Sequence, residues 1–282
     1  MRRYFSFALV AWLLAGTAFA QAPIQQPNPI SFTFTDEKYT DNKPIKLEAS
    51  EYIPQANSNG KVIIFSHGSM GGVTEERYVK ESYKYLNISR HALNNGYTFI
   101  VYMRKGRGKS EGEFTEELGK CSWGETQRQV TEAELQLQQV VAQVKERYKV
   151  SKVILMGHSR GGYLSSFYAA KHPEDVQAVV NLAGVWNAAC QFRDGNATKI
   201  GLEESAKKFK PQFWAYFDYD TYFMSDTFND PKYEWLRKTA NDNGLTFNVF
   251  SAGNRKDGHE APTWIPYQWA TEYFPKLNEA TK

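Results

Sequence analysis

Lys152 to Gly162 reads KVILMGHSRGG, and the fold turns on how this stretch is interpreted. Val153, Ile154, Leu155 and Met156 form a short unbroken apolar run, the pattern of a strand covered on both faces within a parallel sheet. Gly157, Ser159 and Gly161 then match G-x-S-x-G. The two glycines remove Cβ atoms where backbone segments crowd, so the serine can occupy a strained bend with its hydroxyl exposed. Beyond it, Tyr163, Leu164, Phe167 and Tyr168 recur at helical spacing, which places Ser159 at a helix N-terminus, where N–H groups and the dipole favour developing negative charge. The five-residue pattern alone also fits a structural Ser-Gly turn. The strand before it and the helix after it favour a nucleophile.

Working outward, the flanking segments repeat the strand-then-helix alternation. Lys61 to Ser66 (KVIIFS), Tyr97 to Met103, Val176 to Ala183, Gln212 to Phe217 and Leu245 to Ser251 read as buried strands. Helices are expected over about 75–94, 124–148 and 231–243, and a closing one over 262–277 despite Pro266 and Pro275 near its ends. Residues 185–210 read as irregular and then helical, too short for a separate lid domain. Ser31 to Asp36 and Ile45 to Ile53 alternate apolar and polar residues, as antiparallel outer strands do. This alternation implies right-handed crossovers and a mostly parallel sheet with helices on both faces. No long internal repeat interrupts it.

At 282 residues with 41% hydrophobic content, the chain supports one large core. Its formal net charge of +3 is small and its Lys and Arg residues are dispersed, which argues against nucleic acid as a partner. Residues 1–20 combine Arg2-Arg3, an apolar run from Tyr4 to Leu14 and the small-residue end Ala18-Phe19-Ala20, as in a cleaved secretory signal. The run is short for a membrane span. The mature protein is therefore expected as a single domain over 21–282, exported to the periplasm or the medium, with no stable membrane span. Two cysteines in an exported chain, Cys121 and Cys190, suggest a disulfide, which would contribute about 4 kcal/mol through loop closure.

In open α/β sheets the site lies at the carboxyl ends of the strands, so partners for Ser159 belong in the loops leaving those ends. Serine needs a base. Among five histidines, His91 sits in a helix, His158 in the bend itself, His172 before a proline, and His67 opens the loop after KVIIFS. His259, in the loop after the last strand, remains as the general base. The acid that orients it is sought after QFWAYF, where Asp220 is preferred and Asp218 and Asp226 stay open. The N–H of Arg160 and one from Ser69 or Met70 would stabilise an oxyanion. The loop Arg104 to Gly112 misses the register of a phosphate-binding loop and reads as structural. The aromatics Trp186, Phe192, Trp214, Tyr219, Tyr222, Phe223 and Trp264 could line a pocket, although several must be core.

The set FSHGS (65–69), RKGRGKSEG (104–112), GHSRGG (157–162), NLAGVW (181–186), PQFWAYFDYD (211–220) and DGH (257–259) resembles the α/β-hydrolase superfamily, and within it the dienelactone-hydrolase-like branch. The resemblance spans nearly all of the mature chain. It implies the α/β-hydrolase fold without a large cap domain, Ser159 as nucleophile, Asp220 as acid, His259 as base, and the N–H groups of Ser69 and Arg160 on the oxyanion. Two departures stand out. Dienelactone hydrolases proper carry cysteine where Ser159 stands, which argues against a dienelactone substrate, and relatives tend to have glycine at Phe217.

These readings converge on a secreted or periplasmic serine hydrolase cleaving carboxylic esters through an acyl-enzyme intermediate, with no metal or organic cofactor and a small-molecule ester as its partner. Peptide or amide hydrolysis by the same residues is an alternative. A third reading, from a different class, is a non-catalytic chain using the fold as a binding module. The sequence leaves oligomeric state open.

Overall fold

The computed structural model describes residues 25–69, 80, 82–116, 123–186, 197–224, 233–254 and 257–282. The apolar runs become the strands of one sheet: β1 (Asn28–Phe34), β2 (Ile45–Tyr52), β3 (Val62–Ser66), β4 (Thr98–Tyr102), β5 (Val153–His158), β6 (Val176–Leu182), β7 (Gln212–Phe217) and β8 (Thr246–Phe250). Their spatial order is β1-β2-β4-β3-β5-β6-β7-β8. β1 pairs antiparallel with β2, with Phe32 opposite Leu47, and β2 pairs antiparallel with β4. Every other pairing is parallel. This is the expected architecture, two antiparallel strands at one edge of a parallel sheet.

The helices among the described residues are α1 (Glu37–Thr40), α2 (Leu86–Asn94), α3 (Trp123–Tyr148), α4 (Arg160–Lys171), α5 (Ala197–Lys208), α6 (Thr221–Met224), α7 (Glu234–Asp242), α8 (Ala261–Trp264) and α9 (Tyr267–Ala280). Because side chains alternate along a strand, each central strand feeds two cores. Val62 and Ile64 of β3, with Val153 and Leu155 of β5, pack among Val130, Leu137 and Val141 of α3, Leu164 of α4, Leu202 of α5 and Leu236 of α7. Ile63 and Phe65, with Ile154 and Met156, pack on the opposite face against Ile88 and Ala92 of α2 and Trp269, Tyr273 and Leu277 of α9. The unbroken apolar runs are thus the consequence of a sheet covered twice. The connection from β6 to β7 supplies α5 and leaves no room for a large cap domain.

Several elements, α6 among them, differ from the sequence reading. Of the helix expected over about 75–94, residues 75–79 and 81 lie outside the described residues; among the described ones the helix spans Leu86–Asn94 and residues 82–85 run without helix. They are held by other bonds: Ser82 Oγ donates to Glu48 Oε2 at 2.7 Å, Tyr52 Oη donates to the carbonyl of Lys84 at 2.7 Å, and Tyr85 has left-handed φ at 46°. The closing helix is two helices, since the chain breaks at Ile265 and restarts after Pro266. α1 was unforeseen, and Asp36 caps it by accepting from the N–H groups of Lys38 and Tyr39 at 2.8 and 3.0 Å. Among the described residues no helix is long and apolar enough to cross a membrane. Cys121, Cys190, the segment 1–20, Met70, Phe192 and Asp226 all lie outside the described residues.

Candidate active site

The bend after β5 has the geometry its glycines suggested. Ser159 sits at φ 56°, ψ −123°, a backbone conformation that non-glycine residues avoid and that costs on the order of 1–3 kcal/mol. The residues two before and two after it must be glycines. A Cβ on Gly157 would fall 2.2 Å from the carbonyl oxygen of Gly161, and one on Gly161 would fall 1.9 Å from that of Ser66 in β3. The bend is also tied to the next strand, because Ser159 N–H donates to Leu182 O at 2.9 Å and its carbonyl accepts from Val185 at 3.1 Å. The serine is thereby fixed at the carboxyl end of the sheet, directly before α4.

The loops leaving β7 and β8 bring the predicted acid and base together. His259 Nδ1 and Asp220 Oδ2 are 2.9 Å apart, with Asp220 fully buried and His259 only 3% exposed. The second oxygen of Asp220 accepts from Tyr222 N–H at 3.0 Å, which fixes the carboxylate plane. A Cβ on Gly258 would fall 1.9 Å from Asp218 O, so glycine beside His259 is what lets the two loops approach. Gly258 N–H donates to Tyr219 O at 2.9 Å, and His259 N–H donates to Asp257 Oδ1 at 2.9 Å. Of the two alternative acids, Asp218 is turned away, its carboxylate accepting from Ala252 N–H, whereas Asp226 falls outside the described residues.

Burial disfavours the imidazolium of His259, yet the charge and hydrogen bond of Asp220, helped by Glu260 and Asp257, outweigh it and raise its pKa above the usual histidine value. Because Nδ1–H points to Asp220, the lone pair lies on Nε2. That atom is buried and has no hydrogen-bond partner among the described residues. The ring of His158, next to Ser159 in the chain, lies 5.1 Å from that of His259, and His158 Nε2–H donates to His259 O at 2.7 Å.

The loop after β3 closes the other side. An added Cβ on Gly68 would lie 3.1 Å from Ser159 Cβ, so His67-Gly68-Ser69 runs directly against the serine. Gly68 and Ser69 line a cavity of about 530 Å³ together with His158, His259, Glu260 and Tyr222. Trp264, Tyr83 and Tyr85 complete much of the wall. A second hollow of about 410 Å³, against α2, has no histidine or carboxylate in its lining. Of the aromatics expected at a pocket, Tyr222 and Trp264 line it, Trp186, Trp214 and Phe223 are core, and Tyr219 is exposed. Tyr83 and Tyr85 were missed because their segment read as helix. Their place just beyond the β3 loop was the available signal.

The loop Arg104 to Gly112 is a structural device whose role extends to the site. Arg104 Nη1 donates to His67 O at 2.8 Å, and Arg104 N–H donates to His67 Nε2 at 3.1 Å, which holds the serine-facing loop from behind. Burial and the neighbouring guanidinium of Arg104 keep His67 neutral, with its pKa well below the usual value. Glu116 receives Arg104 through both oxygens, one contact at 2.9 Å, and its backbone carbonyl accepts from Arg160 Nη1 at 2.9 Å. Burial would raise the Glu116 pKa, but Arg104, Arg160 and Arg107 hold it well below the carboxylate range. Arg160, chosen for its backbone N–H, thus also carries a buried side chain, whose pKa burial brings down to about 10.

A family model for the alpha/beta hydrolase fold matches residues 61–222, more than half of the chain. The chain belongs to the α/β-hydrolase fold family. The match includes Ser159 and Asp220 and ends before His259, whose pairing with Asp220 is given by geometry alone. Among solved structures, this hydrolase-fold chain is similar to an esterase of Pyrococcus furiosus at 15% identity and TM-score 0.59, covering 91% of this chain and 94% of that one. It is also similar to Est1E of Butyrivibrio proteoclasticus with ferulic acid bound, at 17% identity and TM-score 0.58, covering 83% and 96%. An alpha-beta serine hydrolase homologue of Coxiella burnetii aligns at 17% identity and TM-score 0.53, covering 88% and 95%. At such identities the likeness is one of fold. The dienelactone-hydrolase-like branch is a finer distinction than these matches draw. No curated protein matches the sequence.

Proposed function

We propose that this α/β-hydrolase-fold chain is a serine hydrolase that cleaves small carboxylic esters through an acyl-enzyme intermediate. The observation that carries the reading is the 2.9 Å pairing of His259 Nδ1 with Asp220, which leaves Nε2 as an unpartnered acceptor lining the same cavity as the serine-facing loop. In this mechanism Nε2 accepts the Ser159 hydroxyl proton as Oγ attacks the ester carbonyl, and the resulting imidazolium is stabilised by Asp220. The proton then passes to the leaving alkoxide. Water attacks the acyl-enzyme with the same base, which releases the acid and restores the serine. The N–H groups of Arg160 and Ser69 are assigned to the oxyanion, each donor contributing roughly a hundred- to a thousand-fold in rate.

Esters are preferred over amides because the structural neighbours named above include an esterase and a protein holding ferulic acid, an aromatic carboxylic acid. The described wall of the cavity is aromatic and polar, with Tyr83, Tyr85, Tyr222 and Trp264 and no aliphatic side chain, which suits short or aromatic acyl groups better than long alkyl chains. The same proposal includes export, on the strength of the signal-like residues 1–20.

Hydrolysis of p-nitrophenyl acetate by Ser159→Ala is the direct test. Loss of activity to the level of buffer, with a fluorophosphonate adduct mapped to Ser159 in the parent protein, is the expected outcome. Undiminished turnover in the alanine variant removes the proposal.

A further inference from the structure

The hydrogen bonds around His259 leave one lone pair on each of two neighbouring histidines. His158 donates Nε2–H to the carbonyl of His259 at 2.7 Å, so its lone pair is on Nδ1. His259 donates Nδ1–H to Asp220, so its lone pair is on the buried, unpartnered Nε2. Glu260, partly buried on the same cavity wall, has a carboxylate that makes no hydrogen bond or ion pair with the described residues. One donor atom from each of His158, His259 and Glu260 lies within 4.8 Å of the other two.

We propose that these three side chains form a site for a borderline-soft divalent cation, Zn²⁺ above all, and that occupying it switches the hydrolase off. Two imidazole nitrogens and one carboxylate oxygen are a donor set suited to zinc, with a fourth position left for water. Histidines that hold a metal almost always donate their other N–H to a carboxylate or a backbone carbonyl, which orients the ring and fixes the tautomer. Both arrangements are already in place here, Asp220 behind His259 and a main-chain carbonyl behind His158. Tetrahedral bonds of about 2.1 Å require donors about 3.4 Å apart, so the three must draw together slightly. Glu260, the least buried of them, has the freedom to do so.

A second cluster with the same spacing shows what disqualifies a site. His172, Glu174 and Asp175 also lie within 4.8 Å of one another, but His172 Nε2 is engaged by Glu134 at 3.0 Å and Asp175 is engaged by Lys145 and by Tyr168 at 3.1 Å. Both oxygens of its Asp175 are already spent on protein partners. At the cavity the Glu260 carboxylate has no such partner among the described residues.

The functional consequence is direct. A cation on His259 Nε2 takes the lone pair that would accept the Ser159 proton, so the occupied protein has no general base. The switching half of this inference rests on the proposed serine-hydrolase reading, whereas the metal-binding half does not. Isothermal titration of the full chain with zinc chloride, after chelator treatment and dialysis, separates them. One site per chain is expected, retained in Ser159→Ala and in His172→Asn and weakened at least tenfold in Glu260→Gln and in His158→Asn. Glu260→Gln keeps the test decisive should His158→Asn fail to fold. Cobalt chloride should give the visible absorption of a low-coordinate site in the parent protein and lose it in Glu260→Gln. Absence of binding, or equal affinity in the parent and Glu260→Gln, overturns the site. With p-nitrophenyl acetate as substrate, the inhibition constant for zinc should equal its dissociation constant, with full recovery in EDTA. Zinc that binds this site without inhibiting an active preparation overturns the switch alone.

Discussion

Two buried charge clusters flank Ser159, and they differ in one respect that separates chemistry from scaffolding. On one side, a single carboxylate, Asp220, faces a single titratable ring, His259. On the other, a single carboxylate, Glu116, faces the guanidinium groups of Arg104 and Arg160 within 4 Å, with Arg107 adding its field from nearby. The first pair can change its charge during a reaction, because histidine titrates near neutrality. The second cannot, because arginine stays protonated throughout the working range. A buried cluster of fixed charge holds backbone in place, and this one grips the carbonyl of His67 and, through Glu116, the helix that starts at the serine.

The largest effect should follow from breaking the titratable pair. Asp220→Asn leaves the hydrogen-bonding shape but removes the charge and allows the amide to favour the wrong imidazole tautomer. In triad enzymes such a change lowers kcat by roughly 10⁴. The same loss is expected here for p-nitrophenyl acetate, with the melting temperature little changed. Asp218→Asn is the control: its carboxylate receives Ala252 N–H, away from the base, so its kcat should fall far less. A larger loss in Asp218→Asn than in Asp220→Asn would reverse the assignment.

The fixed-charge cluster should respond in stability rather than in pH profile. Glu116→Ala strips Arg104 of both its carboxylate contacts and leaves buried guanidinium groups uncompensated. Removing one partner of a buried ion pair costs about 3–5 kcal/mol. Urea denaturation should show a loss of that order, and Arg107→Met, which removes a buried guanidinium with two unpartnered nitrogens, should cost less or stabilise. Equal losses from the two variants would show that charge balance is not what Glu116 supplies.

The contrast also explains what could be read from the chain and what could not. The sheet was legible because β3, β4 and β5 are buried on both faces, and two-sided burial demands unbroken apolar runs. The bend was legible because Gly157 and Gly161 occupy positions where backbone oxygens leave no space for a Cβ. The pairing of His259 with Asp220 was foreseeable from elimination among the histidines and from the aspartate's place after β7. None of this local logic reaches Glu116, whose meaning comes from Arg104 and Arg160, one near in sequence and one forty-four residues on. Tyr83 and Tyr85 were hidden for a related reason. Their segment has helical composition, and the ring stacking of Tyr83 on His67 and the Tyr85 contact to Gly68 N–H, both tertiary, hold it open.

The smallest effect tests whether the titratable pair is tuned by the rest of its wall. His259 must be neutral to accept the serine proton, so kcat/KM should fall as pH drops through its pKa. Burial acts to lower that pKa, and Asp220 together with Glu260 and Asp257 raises it, so the acidic limb in chelator-treated protein should lie above the usual histidine value of 6.5. Glu260→Gln removes one negative charge from the set, which makes the imidazolium less favourable and moves the limb toward lower pH. Glu116→Gln also removes a negative charge near the serine, but its field falls on arginines that do not titrate in this range, so the limb should stay where it is. Measuring kcat/KM from pH 5 to pH 9 for both variants decides the matter. A limb that moves with Glu116 and not with Glu260 would mean that the two clusters are one electrostatic unit, and that the division between titrating pair and fixed scaffold is wrong.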